Sequence, residues 1–469
     1  FVVPDADVMD AERALLTDEL SMTWRYSVGN VYEELSYVEA LDVAQVMAGY
    51  GYFDVARQIL RFTLRRLPVR YTNWRAGERL VAGAQYYRLS GDRHYVAEET
   101  PGLRAVVDGL GRVLDTNGTG LLPRERYSSD VADQVLSLQG QTLVWEGLVQ
   151  MGQVWAETGR PELAVRCRSV AATLAGGLRR AVHASERRLA DGSLFVPASL
   201  LDGGQPFGHL TASRDGSYWS LVTPFALASG FFAPHGAEAT GLMRYLLLHG
   251  ARLLGLVRAG AYRLAGSDPS VSGTDQVYGT NVSRFLADND QPDQLVLSLY
   301  GTLAAALTPR TFVTGEAASV TPLGGALYRT MYLPPNNDGD AAFLETLRLM
   351  LVHETRGTDG LPRALELAFA TPRPWLRPGK SIVVRNAPTS FGAVSYSIAR
   401  VGNDVRIEVS LPSSPALAST RLRLRLPSGE RVARVELAGH RMPVDARTAT
   451  IDLSGRSGAL ELTATVSPA

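Results

Sequence analysis

Six segments of the 469-residue chain carry acids, aromatic rings and arginines in a mixture suited to polyhydroxylated substrates. TWRYSVGNVYEELSYVEA offers Trp24, Arg25, Tyr26, Glu33 and Glu34, and TNWRAGE offers Asn73, Trp74 and Arg75. ERYSSDVADQVLSLQGQ offers Arg126, Tyr127, Asp130 and Asp133, and FGHLTASRDGSYW offers His209, Arg214, Asp215, Tyr218 and Trp219. SGTDQVYG adds Asp275 and Tyr278; VTGEAAS adds Glu316, with no charged neighbour between Arg310 and Arg329. Sugar faces are apolar enough to lie on aromatic rings. Their hydroxyls need Asp, Asn and Arg partners, because a buried polar group left unmatched is costly. Cleavage of a glycosidic bond needs two carboxyl groups: one protonates the leaving oxygen, and the other activates water or attacks the anomeric carbon.

Each residue also has a plainer structural role open to it. Thr314 could cap a helix with Glu316 in its first turn, where an anion meets the positive end of the dipole. Asp215 could cap a helix beginning near Tyr218. Asp130 and Asp133 could order a polar loop, and Glu33 and Glu34 a solvated first turn. Trp74 and Trp219 could be packing residues, and His209 a loop hydrogen-bonder. DTNGTG, from Asp115 to Gly120, reads as a tight turn, since no Glu follows at the spacing of a calcium loop.

Composition removes other chemistries. The single cysteine, Cys167, lies in an amphipathic helical pattern and excludes an internal disulfide framework or a thiolate metal cluster. Lys380 is the only lysine, so Schiff-base chemistry is not expected in the helical region. No Walker loop, G-x-S-x-G elbow, HExxH or CxxC occurs, and the one GTG fragment lies in a turn rather than after a strand. No metal and no cofactor are therefore expected. Formal net charge is zero, which favours neither nucleic acid nor an anionic membrane surface as partner, and no apolar run approaches a membrane span. A neutral oligosaccharide or polysaccharide fits better.

The elements that must position these residues follow two grammars. Up to about residue 355, two helix classes alternate. DVARQILRFTLRRL is amphipathic, with Val55, Ile59 and Phe62 at helical spacing and Arg57, Arg61 and Arg65 on the wet face. ELAVRCRSVAATLAGGLRRAV, EATGLMRYLLLHGARLLGL and AAFLETLRLMLVHE read the same way. SYWSLVTPFALASGFF, EALDVAQVMAGYGYF and ASVTPLGGALYRTMYL are apolar or small on nearly every side, as helices buried all round should be. Short turns lead from buried to amphipathic helices, and long loops lead back. This predicts an (α/α)6 toroid over 23–355, with the long loops gathered at the N-terminal ends of its inner helices. Residues 1–22 read as a linker helix to something upstream, and a start at FVVPD rather than Met reads as an excerpt or processed chain. After a connecting segment, 356–371, period-two alternation split by Gly, Pro, Asn and Asp predicts a C-terminal antiparallel β-sandwich of seven to nine strands over 372–469.

This layout resembles the six-hairpin glycosidases, the superfamily of glucoamylases, trehalases and α-L-rhamnosidases. AFATPRPWLRPGKSIVVRNAPTSFGAVSYSI through LRLRLPSGERVARVELAGH resembles the β-sandwich that follows the toroid in rhamnosidase-like bacterial enzymes. The resemblance implies an inverting, exo-acting hydrolase. It makes Glu316, in the lead-in to the last inner helix, the general base. The acid comes from a middle loop, with Asp215 first, Asp130 second and Glu34 third; the rhamnosidase-type acidic motif of the first loop is not matched. Trp24, Glu34, Trp74, Arg75, Tyr127, Asp133, Arg214, Tyr218, Trp219, Asp275 and Tyr278 are then expected to line the substrate site. Two other readings stay open: a polysaccharide lyase using Tyr278, Tyr218 or His209 as base, and a non-catalytic glycan-binding module.

Overall fold

A computed structural model of the chain describes residues 1–22, 25–30, 33, 41–66, 72–128, 131–259, 273–323 and 326–469. Its helices are α1 (Ala6–Met22), α2 (Leu41–Gly49), α3 (Phe53–Arg66), α4 (Thr72–Ser90), α5 (Arg93–Asn117) and α6 (Leu138–Glu157). They continue with α7 (Pro161–Ser185), α8 (Arg214–Ala228), α9 (Ala237–Leu248), α10 (Gly279–Asp288), α11 (Pro292–Gly301) and α12 (Asn337–Leu351). Helices α2, α4, α6, α8, α10 and α12 each pack on the next, and α12 returns to α2, closing an inner ring. Every residue of α2 and of α12 is buried, as expected for helices with neighbours on all sides. The other six helices of the described residues lie outside this ring, so the chain forms the expected toroid of helical hairpins.

Its closure differs from the sequence expectation in two respects. AAFLETLRLMLVHE, read as an outer helix, is most of the inner helix α12. Its charged residues Glu345 and Arg348 are buried against partners across the ring, so a face that reads as wet is dry. The outer partner of α12 is α1, which buries Val8, Ala11, Leu15 and Met22 along one stripe and is the twelfth helix of the toroid, not a linker. ASVTPLGGALYRTMYL, read as a buried helix, is instead an antiparallel strand pair. β-Branched residues favour extended chain there, and a proline disfavours the helix interior.

That pair completes a sheet. Short strands β1 (Glu125–Arg126) with β2 (Gln134–Val135), and β3 (Arg187–Arg188) with β4 (Leu194–Phe195), form two ribbons in the third and fourth long loops. Strands β5 (Arg252–Leu253), β6 (Leu256–Ala259), β7 (Gly273–Asp275), β8 (Ala317–Leu323) and β9 (Ala326–Tyr332) make one antiparallel sheet in that order. It packs through β6 on α8 and α10.

Helix α12 runs directly into β10 (Val352–Arg356). β10 and β11 (Pro362–Leu367) join β15 (Ser419–Arg423), β19 (Thr450–Asp452) and β18 (Val444–Asp445) in a five-stranded sheet, in which β11 and β15 run parallel. The second sheet runs β12 (Ser381–Ala387), β13 (Val394–Val401), β14 (Asp404–Leu411), β20 (Gly458–Pro468), β16 (Glu430–Leu437) and β17 (His440–Met442). The segment read as a connector thus contributes β11. Tyr396 donates to the Leu351 carbonyl at 2.9 Å, Arg348 to the Pro388 carbonyl at 2.7 Å, and Val2 bridges Val383. One continuous apolar core spans toroid and sandwich. No helix of the described residues is long and apolar enough to cross a membrane.

Candidate active site

The long loops meet at the N-terminal ends of the inner helices, where unsatisfied backbone N–H groups need acceptors. At α4 the acceptor is Glu125, a residue that sequence reasoning passed over. Its Oε2 accepts from the backbone N–H groups of Asn73 (2.8 Å) and Trp74 (3.1 Å), and its Oε1 accepts from Ser137 at the start of α6. Burial raises its pKa, and these hydrogen bonds oppose that shift. Flanked by Arg124 and Arg126, it reads in sequence as one charge among several.

Glu316 does not begin a helix. It precedes β8, its N–H donates to the Tyr332 carbonyl (2.8 Å), and its carbonyl accepts from the Gln276 N–H (3.0 Å). The residue is 7% exposed, and its carboxylate accepts from the Tyr26 hydroxyl at 3.0 Å. Tyr26 is itself fixed: its N–H donates to the Glu33 carbonyl (3.0 Å) and its carbonyl accepts from the Asn337 N–H (2.9 Å). Thr314, expected as a cap for Glu316's helix, instead places its hydroxyl 2.6 Å from Asp340 and 2.9 Å from the Asn336 carbonyl, at the start of α12. Asn336 caps α12 by accepting from the Gly339 N–H at 2.8 Å.

The first, fifth and sixth loops therefore converge with the start of α12, bringing together Tyr26, Glu33, Asp275, Glu316 and Asp338. Asp275 is fully buried in β7, opposite Ala317 of β8. It lines a cavity of about 20 Å³, room for about one water molecule. Asp338 lies in the first turn of α12, in LPPNNDG, whose Pro, Asn and Gly content resembles a plain turn in sequence. An Asn cap followed by two acids is nevertheless a legible helix start.

The fourth loop supplies Asp215, exposed in the first turn of α8. Ser213, not Asp215, caps this helix, accepting from the Gly216 N–H at 3.1 Å. His209 lies 3.1 Å from both the Arg258 guanidinium and the Thr211 hydroxyl. The exposed Arg214 stands over the Tyr218 ring. Trp219, expected to contact sugar, is a core residue: its N–H donates to the Val196 carbonyl at 2.8 Å, and its ring packs on Phe195 and Tyr245. Trp74 packs edge-on against Phe225, which also meets Tyr278; all three rings are buried. Tyr127 is buried, its N–H donating to the Asp133 carbonyl; Asp133 is exposed and Arg75 half-buried. Trp24, Glu34 and Asp130 lie outside the described residues.

Inside the ring, Arg284 donates to Asp42 (2.7 Å) and to Glu345 (2.9 Å). Burial would raise Glu345, but Arg284 and Arg348 outweigh it and hold this carboxyl below its usual range. Glu78 goes the other way. Burial, reinforced by Asp42 and Glu146, drives it well above the ordinary range against the opposing pull of Arg284 and Trp74. Among the described residues no three His, Cys, Asp or Glu side chains are grouped so as to hold a metal ion. Cys167 is buried between α6 and α7, its thiol pushed up to about 12 by burial.

No protein-family model and no curated sequence matches the chain. Among solved structures, an α-L-rhamnosidase from Dictyoglumus thermophilum aligns over 99% of this chain and 50% of its own length, with a TM-score of 0.54 and 10% identity. The chain thus spans about half the length of that protein. A GH78 family rhamnosidase of Bacillus sp. GL1 aligns over 88% of this chain and 40% of its own (TM-score 0.49, 12% identity). A glycosidase in complex with glucose aligns over 74% and 98% (TM-score 0.48, 12% identity). The chain shares the fold of the Dictyoglumus thermophilum structure and is itself a ring of six helical hairpins followed by a C-terminal β-sandwich.

Proposed function

We propose that the chain is a glycoside hydrolase acting on an oligosaccharide or polysaccharide, with Glu316 as general base and Asp215 as general acid. The observation that carries this reading is the placement of Glu316. It is a buried carboxylate oriented by a tyrosine hydroxyl, near the N-terminal ends of α10 and α12, where the helix dipoles favour an anion. In the reaction, Glu316 takes a proton from water as the water oxygen attacks the anomeric carbon. Asp215 gives its proton to the departing glycosidic oxygen, and the product inverts. The exposure of Asp215 suits a group that must meet substrate and recover a proton from solvent at each turnover. Arg75, Asp133 and Arg214, which solvent reaches, are the remaining described candidates for holding the sugar, whereas Trp74, Tyr127, Tyr218, Asp275 and Tyr278 are buried; Asp130 is the second candidate acid. Removal of single terminal sugars is part of the same proposal and rests on the resemblance of the sequence layout alone.

Digestion of a glycan panel, with products followed by proton NMR, tests this. The expected outcome is stepwise release of one sugar whose anomeric configuration is opposite to that of the substrate. Asp215→Asn should lose about 100-fold or more on natural glycosides, and less on an aryl glycoside whose leaving group needs no proton. An unsaturated product absorbing in the ultraviolet would establish a lyase instead. Saturable sugar binding with no product from any glycan would establish a binding module.

A further inference from the structure

A cleft of about 510 Å³ opens where the toroid meets the sandwich. One wall is the turn after α10, with Asp290, and the first residues of α11, with Asp293. The sandwich supplies the other wall, including Arg373, Arg423, Arg425, Arg431 and Arg447. Glu316 lies near the N-terminal end of α10 and this cleft at its C-terminal end. Ten residues of helix, about 15 Å, separate the two. It is therefore a different site from the candidate active centre, on the opposite face of the ring.

The charges in the cleft are unbalanced. Arg423 pairs with Asp290 at 2.8 Å and lies over the Phe369 ring. Arg425 pairs with Asp293 and donates to the Thr371 carbonyl at 3.2 Å. Glu430, the third lining acid, is engaged through both oxygens by Arg400. Arg373 and Arg431 donate to carbonyls, those of Leu426 (3.0 Å) and Pro468 (3.1 Å). Asp445, near Arg447, accepts from the Arg447 N–H and the Thr448 hydroxyl. With Arg400 and Asp445 included, six arginines face four acids, a net charge of +2. Crowding adds to this: Arg425 is buried, and its guanidinium is lowered first by that burial and further by Arg373 and Arg423, against the pull of Asp293.

Among the described residues no aromatic ring lines the cleft, so a neutral sugar finds no face there to lie on. Guanidinium forks match the paired oxygens of carboxylate, sulfate and phosphate. We infer that this cleft is a second binding site, taking a small molecule or sugar that carries a carboxylate, sulfate or phosphate group.

Titration calorimetry on the full chain tests this, with glucuronate, glucose 6-phosphate, inorganic sulfate, inorganic phosphate and glucose compared at fixed ionic strength. The anions should bind and glucose should not. The double variant Arg431→Ala/Arg447→Ala, at two exposed positions, should weaken anion binding at least tenfold, and Glu316→Gln should leave it unchanged. Tighter binding of the sugar acids than of the inorganic ions would assign the site to an acidic sugar, and equal binding to the free oxyanion. The inference is overturned if no anion binds with Kd below about 10 mM, if glucose binds equally, or if binding survives in the double variant.

Discussion

Glu316 and Glu125 show how little a carboxylate's role can be read from its neighbours in sequence. The isolation of Glu316 as a lone charge was legible. Its partner Tyr26 was not, because 290 residues separate the two and only ring closure joins them. Glu125 was invisible for the opposite reason, being surrounded by charge while its buried carboxylate serves backbone groups. Glu125→Ala would strand two backbone donors and the Ser137 hydroxyl. Each stranded buried donor costs roughly 1–3 kcal/mol, so the variant should lose about 3 kcal/mol or more in urea denaturation. Glu125→Gln, which keeps an acceptor oxygen, should lose markedly less. Equal stability of Glu125→Ala and the parent chain would show that water replaces the carboxylate.

The helices were legible as elements because their apolar spacing repeats. The ring position of the last one was not. Charged residues at the Glu345 and Arg348 positions normally mark a solvated face, and only tertiary partners, Arg284 for Glu345 and the Gly49 and Pro388 carbonyls for Arg348, let them be buried. The hairpin β8–β9 was misread because a short apolar run has no period that separates a strand from a buried helix. Close approach of α4 and α6 was also hidden in two glycines, Gly77 and Gly147. A Cβ at Gly147 would stand 2.6 Å from the Leu80 Cβ and 2.9 Å from the Gly77 carbonyl oxygen. Overpacking of this kind costs about 1–3 kcal/mol, whereas Ala gains about 1 kcal/mol over Gly in helix propensity. The clash involves backbone that cannot give way, so the cost lies toward the upper end and Gly147→Ala should be destabilising, by up to about 2 kcal/mol. A stabilised variant would mean that the two helices separate without penalty.

At the scale of the whole molecule, toroid and sandwich follow from alternation and period, and the closure by α1 follows from neither. Closure places Glu19 of α1 wholly inside, where its two carboxyl oxygens have no hydrogen-bond partner among the described residues. Burial, then Asp340, Asp338 and Asp18, drives Glu19 well above its ordinary value, and burial does the same to Asp340. A carboxyl raised in the folded state contributes stability that is fully present below its unfolded pKa of about 4.5, and this is lost as pH rises through the folded value. This contribution should therefore fall away as pH rises above about 4.5. Glu19→Gln should raise the thermal midpoint at pH 8 and change it little at pH 4.5. Identical responses at both pH values would remove Glu19 from the account. The central claim, that this ring is a glycosidase working through Glu316, is tested most directly by the turnover of Glu316→Gln on whichever glycan the parent chain cleaves. A folded variant that still binds the sugar but turns over at least about 100-fold more slowly is the predicted result; near-parental turnover would contradict it.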